Sequence, residues 1–228
     1  MSFRVLTFAR TGGARYLSHL DTARAVQRTF ARADLAIVLS QGMRPKPRFS
    51  LPLPLPVGAA GCEELAVVEV PDDAPETAAA LARLRAAAPP GLRPVTLVDA
   101  GARHLRPRAL AAEYACLLDG DAGAIAAAVE RYCSEDHVIR ERVSPKGRRD
   151  LDLKQYVERV TADAASSGAL LRFTVRYDGG GARPQELVDL IASWAGVEPV
   201  MRALERRRII WQGSPPGPGR EVERSVAT

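Results

Sequence analysis

The residues best suited to chemistry stand near the start of the chain, where polar and basic side chains recur at helical spacing. In chain order they are Tyr16, Ser18, His19, Asp21, Arg24, Arg28 and Arg32. Ser18 and Asp21 have the spacing of a helix N-terminal cap, and arginines four residues apart fall on one stripe of a helix. A guanidinium group binds phosphate or carboxylate through two parallel hydrogen bonds, so the stripe predicts an anion-binding surface with Arg24 and Arg28 as contacts. The alternative is a solvated helix face.

A second basic segment follows within ten residues of that helix. It consists of Ser40, Gln41, Gly42, Met43, Arg44, Pro45, Lys46, Pro47 and Arg48. The glycine permits a positive φ angle, and the two prolines force extended backbone on the residues before them. The three cations, Arg44, Lys46 and Arg48, should therefore project from a stiff backbone and lose little entropy on binding. The alternative is an ordinary turn with exposed charges.

His19 is the one candidate for acid or base chemistry in these segments. On a helical wheel it falls on the apolar side, which also holds Leu20, Ala23, Val26, Phe30 and Ala33. A histidine there, without a nucleophile or metal ligand nearby, is more typical of a core or cap position than of catalysis. His104 and His137 lie in no ligand spacing. We therefore predict no catalytic residue and no metal site.

Composition narrows the class of protein. The 228 residues are 46% hydrophobic, enough for a real core, and the net charge of +5 favours polyanions or acidic partners. Cys62, Cys116 and Cys133 are odd in number and widely spaced, which indicates neither a disulfide framework nor a zinc site. No leader sequence, membrane-length apolar run or cofactor motif is present. The prediction is a cytoplasmic protein without a cofactor or a membrane contact.

Other basic residues cluster in the second half of the chain. Arg140, Arg142, Lys146, Arg148 and Arg149 surround a predicted hairpin tip, and Arg172, Thr174 and Arg176 alternate with apolar residues along a strand. If that face of the sheet is open, it forms a basic platform. No exposed aromatic accompanies it, so backbone or shape recognition of a nucleic acid is favoured over base reading.

The elements that position these residues repeat in order. The first set is strand 3–10, helix 18–33, strand 36–40, strand 64–70, helix 75–88 and strand 94–100. The second is strand 113–118, helix 122–133, strands 137–143, 151–160 and 170–177, helix 184–194 and strand 204–211. Residues 51–56 alternate leucine and proline, which predicts an edge strand or polyproline segment with its leucines toward the core.

Two consecutive β-α-β-β-α-β orders, the second with one extra strand, predict an α+β fold of tandem ferredoxin-like (βαββαβ) halves with antiparallel sheets. The predicted division is residues 1–103 and 109–212. Residues 213–228 are rich in proline, glycine and charge and are predicted to be a disordered tail.

Further residues complete a pattern with residues 16–21, Arg24 and the segment 40–47. They are Pro56, Val57, Gly58, Glu64, Lys146, Gly147, Asp152, Arg183 and Pro184. With them the chain resembles the bacterial radical-SAM-linked family of unknown function. It departs from the family where Met43 replaces a usual Phe and Lys46 replaces a usual His. The resemblance implies an accessory or substrate-presenting partner of a radical SAM enzyme. The chain cannot be that enzyme itself, because its three cysteines do not form the three-cysteine motif that binds the enzyme's iron–sulfur cluster.

Three functions remain open at this point. The first is a non-catalytic accessory protein that binds RNA or another polyanion through Arg24, Arg28, Arg44, Lys46 and Arg48. The second is a protein-interaction module that docks on an acidic radical SAM partner without RNA. The third is a metal-independent ribonuclease or RNA-modifying enzyme that uses His19, with Arg24 stabilising charge.

Overall fold

The first half of the chain carries the basic residues of interest on a short run of strands and helices. The structure, a computed structural model, describes residues 1–102, 106–144, 147–177, 181–198 and 204–213. The elements of the first half are β1 (Ser2–Arg10), α1 (His19–Arg32), β2 (Phe49–Ser50), β3 (Ala60–Val70), α2 (Thr77–Ala87) and β4 (Leu92–Asp99). The strands lie antiparallel in the order β4-β1-β3-β2. The predicted strand at 36–40 is wrong: only a bridge between Leu39 and Pro47 forms there.

The second half repeats this arrangement and adds a hairpin. Its elements are β5 (Ala109–Asp119), α3 (Ala122–Ser134), β6 (Ile139–Ser144), β7 (Gly147–Asp152), β8 (Val157–Ala165), β9 (Gly168–Arg176), α4 (Pro184–Ala195) and β10 (Leu204–Trp211). Four strands lie antiparallel in the order β10-β5-β9-β8, and β6 pairs only with β7. The predicted strand 151–160 is wrong, because Asp152 caps a 3-10 turn at Leu153–Gln155 that separates β7 from β8.

The two halves share one sheet. β3 and β10 pair in parallel through Ala60 with Glu205 and Gly61 with Arg206, which gives a mostly antiparallel sheet of eight strands. With four helices among the described residues, the fold is α+β, as predicted, although the sheet contains this parallel pair. The division into 1–103 and 109–212 stays a prediction, and all but the first residue of the predicted tail lies outside the described ranges. None of the described helices is both long and apolar enough to span a bilayer.

The helices cover one face of the sheet. α1 and α2 pack together over the first-half strands, and α3 and α4 pack together over the second-half strands. Val26 and Phe30 of α1 are buried as predicted, but Leu20 is 65% exposed. Thr22 and Thr29 are buried in its stead, and their hydroxyls donate to the carbonyls four residues earlier in the chain. Those internal hydrogen bonds let threonine occupy an apolar face without leaving a hydroxyl unpaired.

A buried ion pair joins the halves. Glu64 of β3 and Arg206 of β10 are 5% and 1% exposed. The Nε of Arg206 lies 3.0 Å from Oε1 of Glu64, and its Nη2 donates to the other carboxylate oxygen. Burial lowers the pKa of Arg206, but the Glu64 carboxylate and the Tyr114 hydroxyl together outweigh burial and raise that pKa above its ordinary value. Gly61 makes room for the pair, since a Cβ there would lie 2.3 Å from Oε1 of Glu64.

Residues 51–56, called here the Leu–Pro segment, are held by buried arginines and form no strand. Arg206 donates to the carbonyls of Leu53 and Pro54, each at 3.0 Å, and Arg10 donates to that of Pro56 at 2.9 Å. Leu55 is buried in the core, as the alternation predicts. A proline-rich segment suits this role, because its carbonyls can accept hydrogen bonds although its prolines donate none.

The β6–β7 hairpin is anchored at its base by Asp152, which is 8% exposed. One carboxylate oxygen accepts from the backbone N–H of Val138 at 3.0 Å and of Lys154 at 3.1 Å, and the other lies 2.8 Å from Nδ1 of His137. The hydrogen bond to Asp152, more than its charge, raises the pKa of His137. Although burial opposes it, the same contacts lower the pKa of Asp152.

We expect Glu64→Leu to lower the free energy of unfolding by about 3–5 kcal/mol, because it leaves Arg206 as a buried charge without its counter-ion. The double change Glu64→Leu with Arg206→Met should lose less than that single change. Denaturant unfolding of the three proteins measures this. Arg207→Ala on the same strand is the control: it removes an exposed pair with Glu205 and should cost below about 1 kcal/mol. A double variant no more stable than Glu64→Leu would contradict the explanation that the cost comes from the unpaired charge of Arg206.

Asp152→Asn should return the pKa of His137 toward its ordinary 6.5, because the amide oxygen can keep accepting from the backbone N–H groups of Val138 and Lys154, while the amide NH2 replaces the oxygen that accepts from His137 and the charge is lost. With a raised pKa, His137 contributes stability below about 6.5 that is lost as pH rises through its folded value. Asp152, with a lowered pKa, contributes stability above about 3.8 that is lost as pH falls. The variant should therefore flatten the dependence of the free energy of unfolding on pH in the ranges where Asp152 and His137 titrate. NMR titration of the His137 ring measures the shift, and Asp136→Asn, which removes only a weak charge effect, should change it less. An unchanged midpoint in Asp152→Asn would rule the pairing out.

Candidate functional site

The start of α1 is set by its cap. Ser18 accepts a hydrogen bond from the backbone N–H of Asp21 at 3.1 Å, and its hydroxyl donates to the Asp21 carboxylate at 2.7 Å. The Ser18 hydroxyl, and after it Arg24, lowers the pKa of Asp21. Arg24 lies 3.2 Å from that carboxylate. The predicted cap is therefore present, and it ties Arg24 to the first turn of the helix.

Residues 40–46, called here the basic loop, form an exposed loop whose two ends are joined by hydrogen bonds. The backbone N–H of Ser40 donates to the carbonyl of Lys46 at 2.8 Å, and the N–H of Lys46 donates back to the Ser40 hydroxyl at 3.0 Å. Gly42 has a φ of +122°, as predicted. Every residue from Gln41 to Pro47 is exposed, and Met43 at the tip is fully so. The two hydrogen bonds fix the ends of the loop and leave its side chains to solvent.

The cations of this segment divide into two kinds. Within the described part of the chain, Arg44 and Lys46 form no ion pair, and both are exposed. Arg48 instead lies 2.9 Å from the carboxylate of Glu69, whose side chain is 6% exposed. The backbone N–H of Glu69 also donates to the carbonyl of Arg48 at 3.0 Å, beside the β2–β3 pair. Arg48 therefore secures the base of the loop, whereas Arg44 and Lys46 remain available to a ligand.

The arginine stripe does not meet the basic loop. Arg28 and Arg32 line a cleft beside Pro89, Pro90 and Leu92, at the start of β4. The basic loop leaves the sheet beside β2, at the other end of the order β4-β1-β3-β2. Three strand spacings, about 14 Å, separate those two edges. The predicted set thus falls on two surfaces, one with Arg44 and Lys46 and one with Arg28.

His19 lines a small cavity beside the buried residues Arg10 and Glu64. The cavity is about 10 Å³, room for roughly one water molecule, and it lies against Arg10 and Glu64. The other lining residues are Phe8, Thr22, Leu51, Leu53, Leu55 and Leu65. His19 has no hydrogen-bond partner among the described residues. Tyr16, three residues before His19, is 57% exposed. The wheel's separation of His19 from the arginine stripe agrees with this arrangement.

Arg10 is the buried residue that sequence reasoning missed. It is 1% exposed, and burial lowers its pKa to about 10 although Glu64 opposes the shift. Its two terminal nitrogens donate to the Thr22 hydroxyl and to the carbonyls of Arg15, Leu17, Pro56 and Ala59. Its Nε is buried and has no hydrogen-bond partner in the described part of the chain. The signal for Arg10 and for Arg206 was a charge on the apolar side of a strand, at the end of β1 and within β10.

The second basic cluster is largely neutralised. Arg142 binds Glu186 through Nε at 2.7 Å and Nη2 at 2.6 Å, Arg148 lies 3.2 Å from Glu141, and Arg172 pairs with Asp163. Arg140 and Arg149 have no ion pair within the described ranges. Lys146 and His104 lie outside those ranges. No group of three potential metal ligands occurs among the residues that the structure describes.

Comparisons with known proteins place the fold. It is similar to a chain in the crystal structure of a Cbf5-Nop10-Gar1 complex, with a TM-score of 0.53 and 16% identity. The match covers 91% of this chain and 49% of that one, so this chain spans about half its length. An unknown protein from Galdieria sulphuraria matches with a TM-score of 0.25 and 15% identity over 86% of this chain and 95% of that chain.

The search of curated proteins finds no match. A bacterial family does match, from Arg4 to Pro184, and this range includes α1, the basic loop, the Leu–Pro segment and Glu64. The chain therefore belongs to the family described as uncharacterized protein conserved in bacteria (DUF2344), which covers residues 4–184.

Proposed function

We propose that this protein is a non-catalytic accessory protein that binds RNA, or another phosphate-bearing polyanion, through the basic loop. The observation that carries the proposal is the pair Arg44 and Lys46, exposed and without an acidic partner in the described chain, on a loop closed by two hydrogen bonds. Cations on a fixed backbone lose less entropy on binding than cations on a mobile one. The net charge of +5 adds a long-range attraction.

The composition of the loop favours a single strand over a duplex. Met43, fully exposed, stands next to Arg44 at the tip. An apolar side chain beside cations suits a polyanion whose bases are unstacked and accessible. Contacts to phosphates position a nucleic acid but carry no sequence information. We therefore propose backbone and shape recognition without base-specific readout.

A binding role is supported over the ribonuclease alternative by the surroundings of His19. Its cavity has room for about one water molecule, and among the described residues no second proton-transfer group hydrogen-bonds to the ring. General acid and base chemistry on RNA needs a group within reach of the reacting hydroxyl. The basic loop carries two exposed cations with no ion pair in the described chain, so ligand binding there does not require His19.

Two finer proposals accompany this one. Each half is proposed to be ferredoxin-like, which the matching orders β4-β1-β3-β2 and β10-β5-β9-β8 support. The accessory role is proposed to serve a radical SAM enzyme, which rests on the sequence resemblance at residues 16–21 and 40–47. Three free cysteines, one of them fully buried, support a reducing compartment such as the cytoplasm.

Arg44→Ala with Lys46→Ala should weaken binding of an unstructured oligouridylate by about tenfold at low salt. Loss of two phosphate contacts should also reduce the salt slope by about 1.4, at about 0.7 per contact on a single strand. Fluorescence anisotropy over a series of salt concentrations measures both. Arg48→Ala should lower the free energy of unfolding while leaving the slope nearly unchanged, because Arg48 is paired with Glu69.

The matched control removes the same charge elsewhere. Arg140→Ala with Arg149→Ala, on the β6–β7 hairpin, should leave both affinity and slope close to those of the unmodified protein. Equal losses in the two double variants would mean that net charge alone attracts the RNA. Absence of any salt-dependent binding would remove the proposal.

A further inference from the structure

A groove runs along α1, between this helix and the C-terminal half of α2 with the residues that follow it. It consists of two clefts of about 340 and 500 Å³ that share Arg32. The first is lined by Gly13, Ala14, Leu17, Ala25, Arg28, Arg32, Pro89, Pro90 and Leu92, and the second by Arg32, Ala33, Asp34, Arg83, Ala86 and Ala87. We call this set the interhelix groove.

The charge of the interhelix groove is one-sided. Arg28, Arg32 and Arg83 are exposed and form no ion pair within the described chain, against a single lining acid, Asp34. Arg32 stands in the last turn of α1, where a cation stabilises the helix dipole whatever else it does. That explanation does not extend to Arg28, one turn earlier, or to Arg83, which precedes the last turn of α2. Both are available to an external anion.

The floor between these cations is apolar and fixed. Small or apolar side chains line it, chiefly Leu17, Ala25 and Leu92. The wall formed by Pro89 and Pro90 is tied to the turn before α1, because the N–H of Thr11 donates to the carbonyl of Gly91 at 2.8 Å. Gly91 has a φ of +83°, and a Cβ there would lie 2.5 Å from the Thr11 carbonyl oxygen. This wall of the groove is therefore preformed, with little backbone freedom to lose on binding.

We infer that the interhelix groove binds an amphipathic helical segment of a partner protein that presents acidic residues beside an apolar face. A helix seats its apolar stripe in a groove of this kind, and carboxylates along its polar side can pair with Arg28 and Arg83. RNA fits less well, because phosphate contacts to the arginines would leave the apolar residues Leu17, Ala25 and Leu92 uncovered. A lone phosphate or carboxylate would leave the apolar floor uncovered. This inference is independent of RNA binding at the basic loop.

The test is an NMR titration of the isotope-labelled full-length protein with a synthetic peptide of about 14 residues, four helical turns, with leucine and glutamate at helical spacing. The expected result is shifts of the Ala25, Arg83 and Leu92 signals. Arg28→Glu with Arg83→Glu should weaken the peptide by about tenfold or more, since like charges then face each other. Arg44→Glu with Lys46→Glu should leave the peptide's affinity unchanged while abolishing oligouridylate binding.

Circular dichroism of each variant verifies that the fold is retained, and the peptide with lysine in place of glutamate should not bind. Groove shifts produced equally by inorganic phosphate would identify a small-anion site and overturn the inference. Groove shifts produced by oligouridylate would assign the groove to RNA and overturn it as well. Peptide shifts confined to residues 40–46, or none, would have the same consequence. Failure of oligouridylate binding alone would affect only the function proposed for the basic loop.

Discussion

The buried ion pair between Glu64 and Arg206 is the constraint on which the rest of the molecule depends. Two residue pairs, Ala60 with Glu205 and Gly61 with Arg206, are the register over which β3 and β10 meet. So short a parallel contact contributes little by itself. The guanidinium of Arg206 adds two hydrogen bonds to Glu64 and one each to the carbonyls of Leu53 and Pro54. Burial makes an unpaired charge costly, so each partner enforces the position of the other.

Further hydrogen bonds close to this ion pair position α1, which forms one wall of the interhelix groove. Arg10 connects the turn before α1, through the carbonyls of Arg15 and Leu17, to the end of the Leu–Pro segment at Pro56. Arg15 extends the connection, with Nε 2.7 Å from the carbonyl of Gly58 and Nη2 3.4 Å from that of Leu204. The start of α1 is thus fastened to both halves of the sheet. A change at the joint would therefore move α1, and with it one wall of the interhelix groove.

Sequence could predict what depends on local chemistry. The cap at Ser18 and the buried positions Val26 and Phe30 follow from side chains within one helix. The strand 151–160 failed because a carboxylate at Asp152 closes a short turn that hydrophobic pattern does not reveal. The pairing of Glu64 with Arg206 spans 142 positions, so no local window contains both partners. The separation of Arg28 from the basic loop needs the strand order, which only the sheet determines. The sequence could therefore place residues within one helix, but it could not show which helix and loop residues lie on the same surface of the protein.

The placement of the arginines also changes what the chain's basic composition means. Arg10 reaches five acceptors on four segments from one planar group, which the single ammonium of lysine cannot reproduce. Arg4 similarly donates to the carbonyl of Pro75, and Arg142 binds Glu186 with two bonds. Much of the arginine content thus serves internal hydrogen bonding, and net charge overstates the surface available to a polyanion. The charges that matter for binding are those the fold leaves unpaired, and the strand order places Arg44 and Lys46 beside β2 and the cleft that contains Arg28 beside β4.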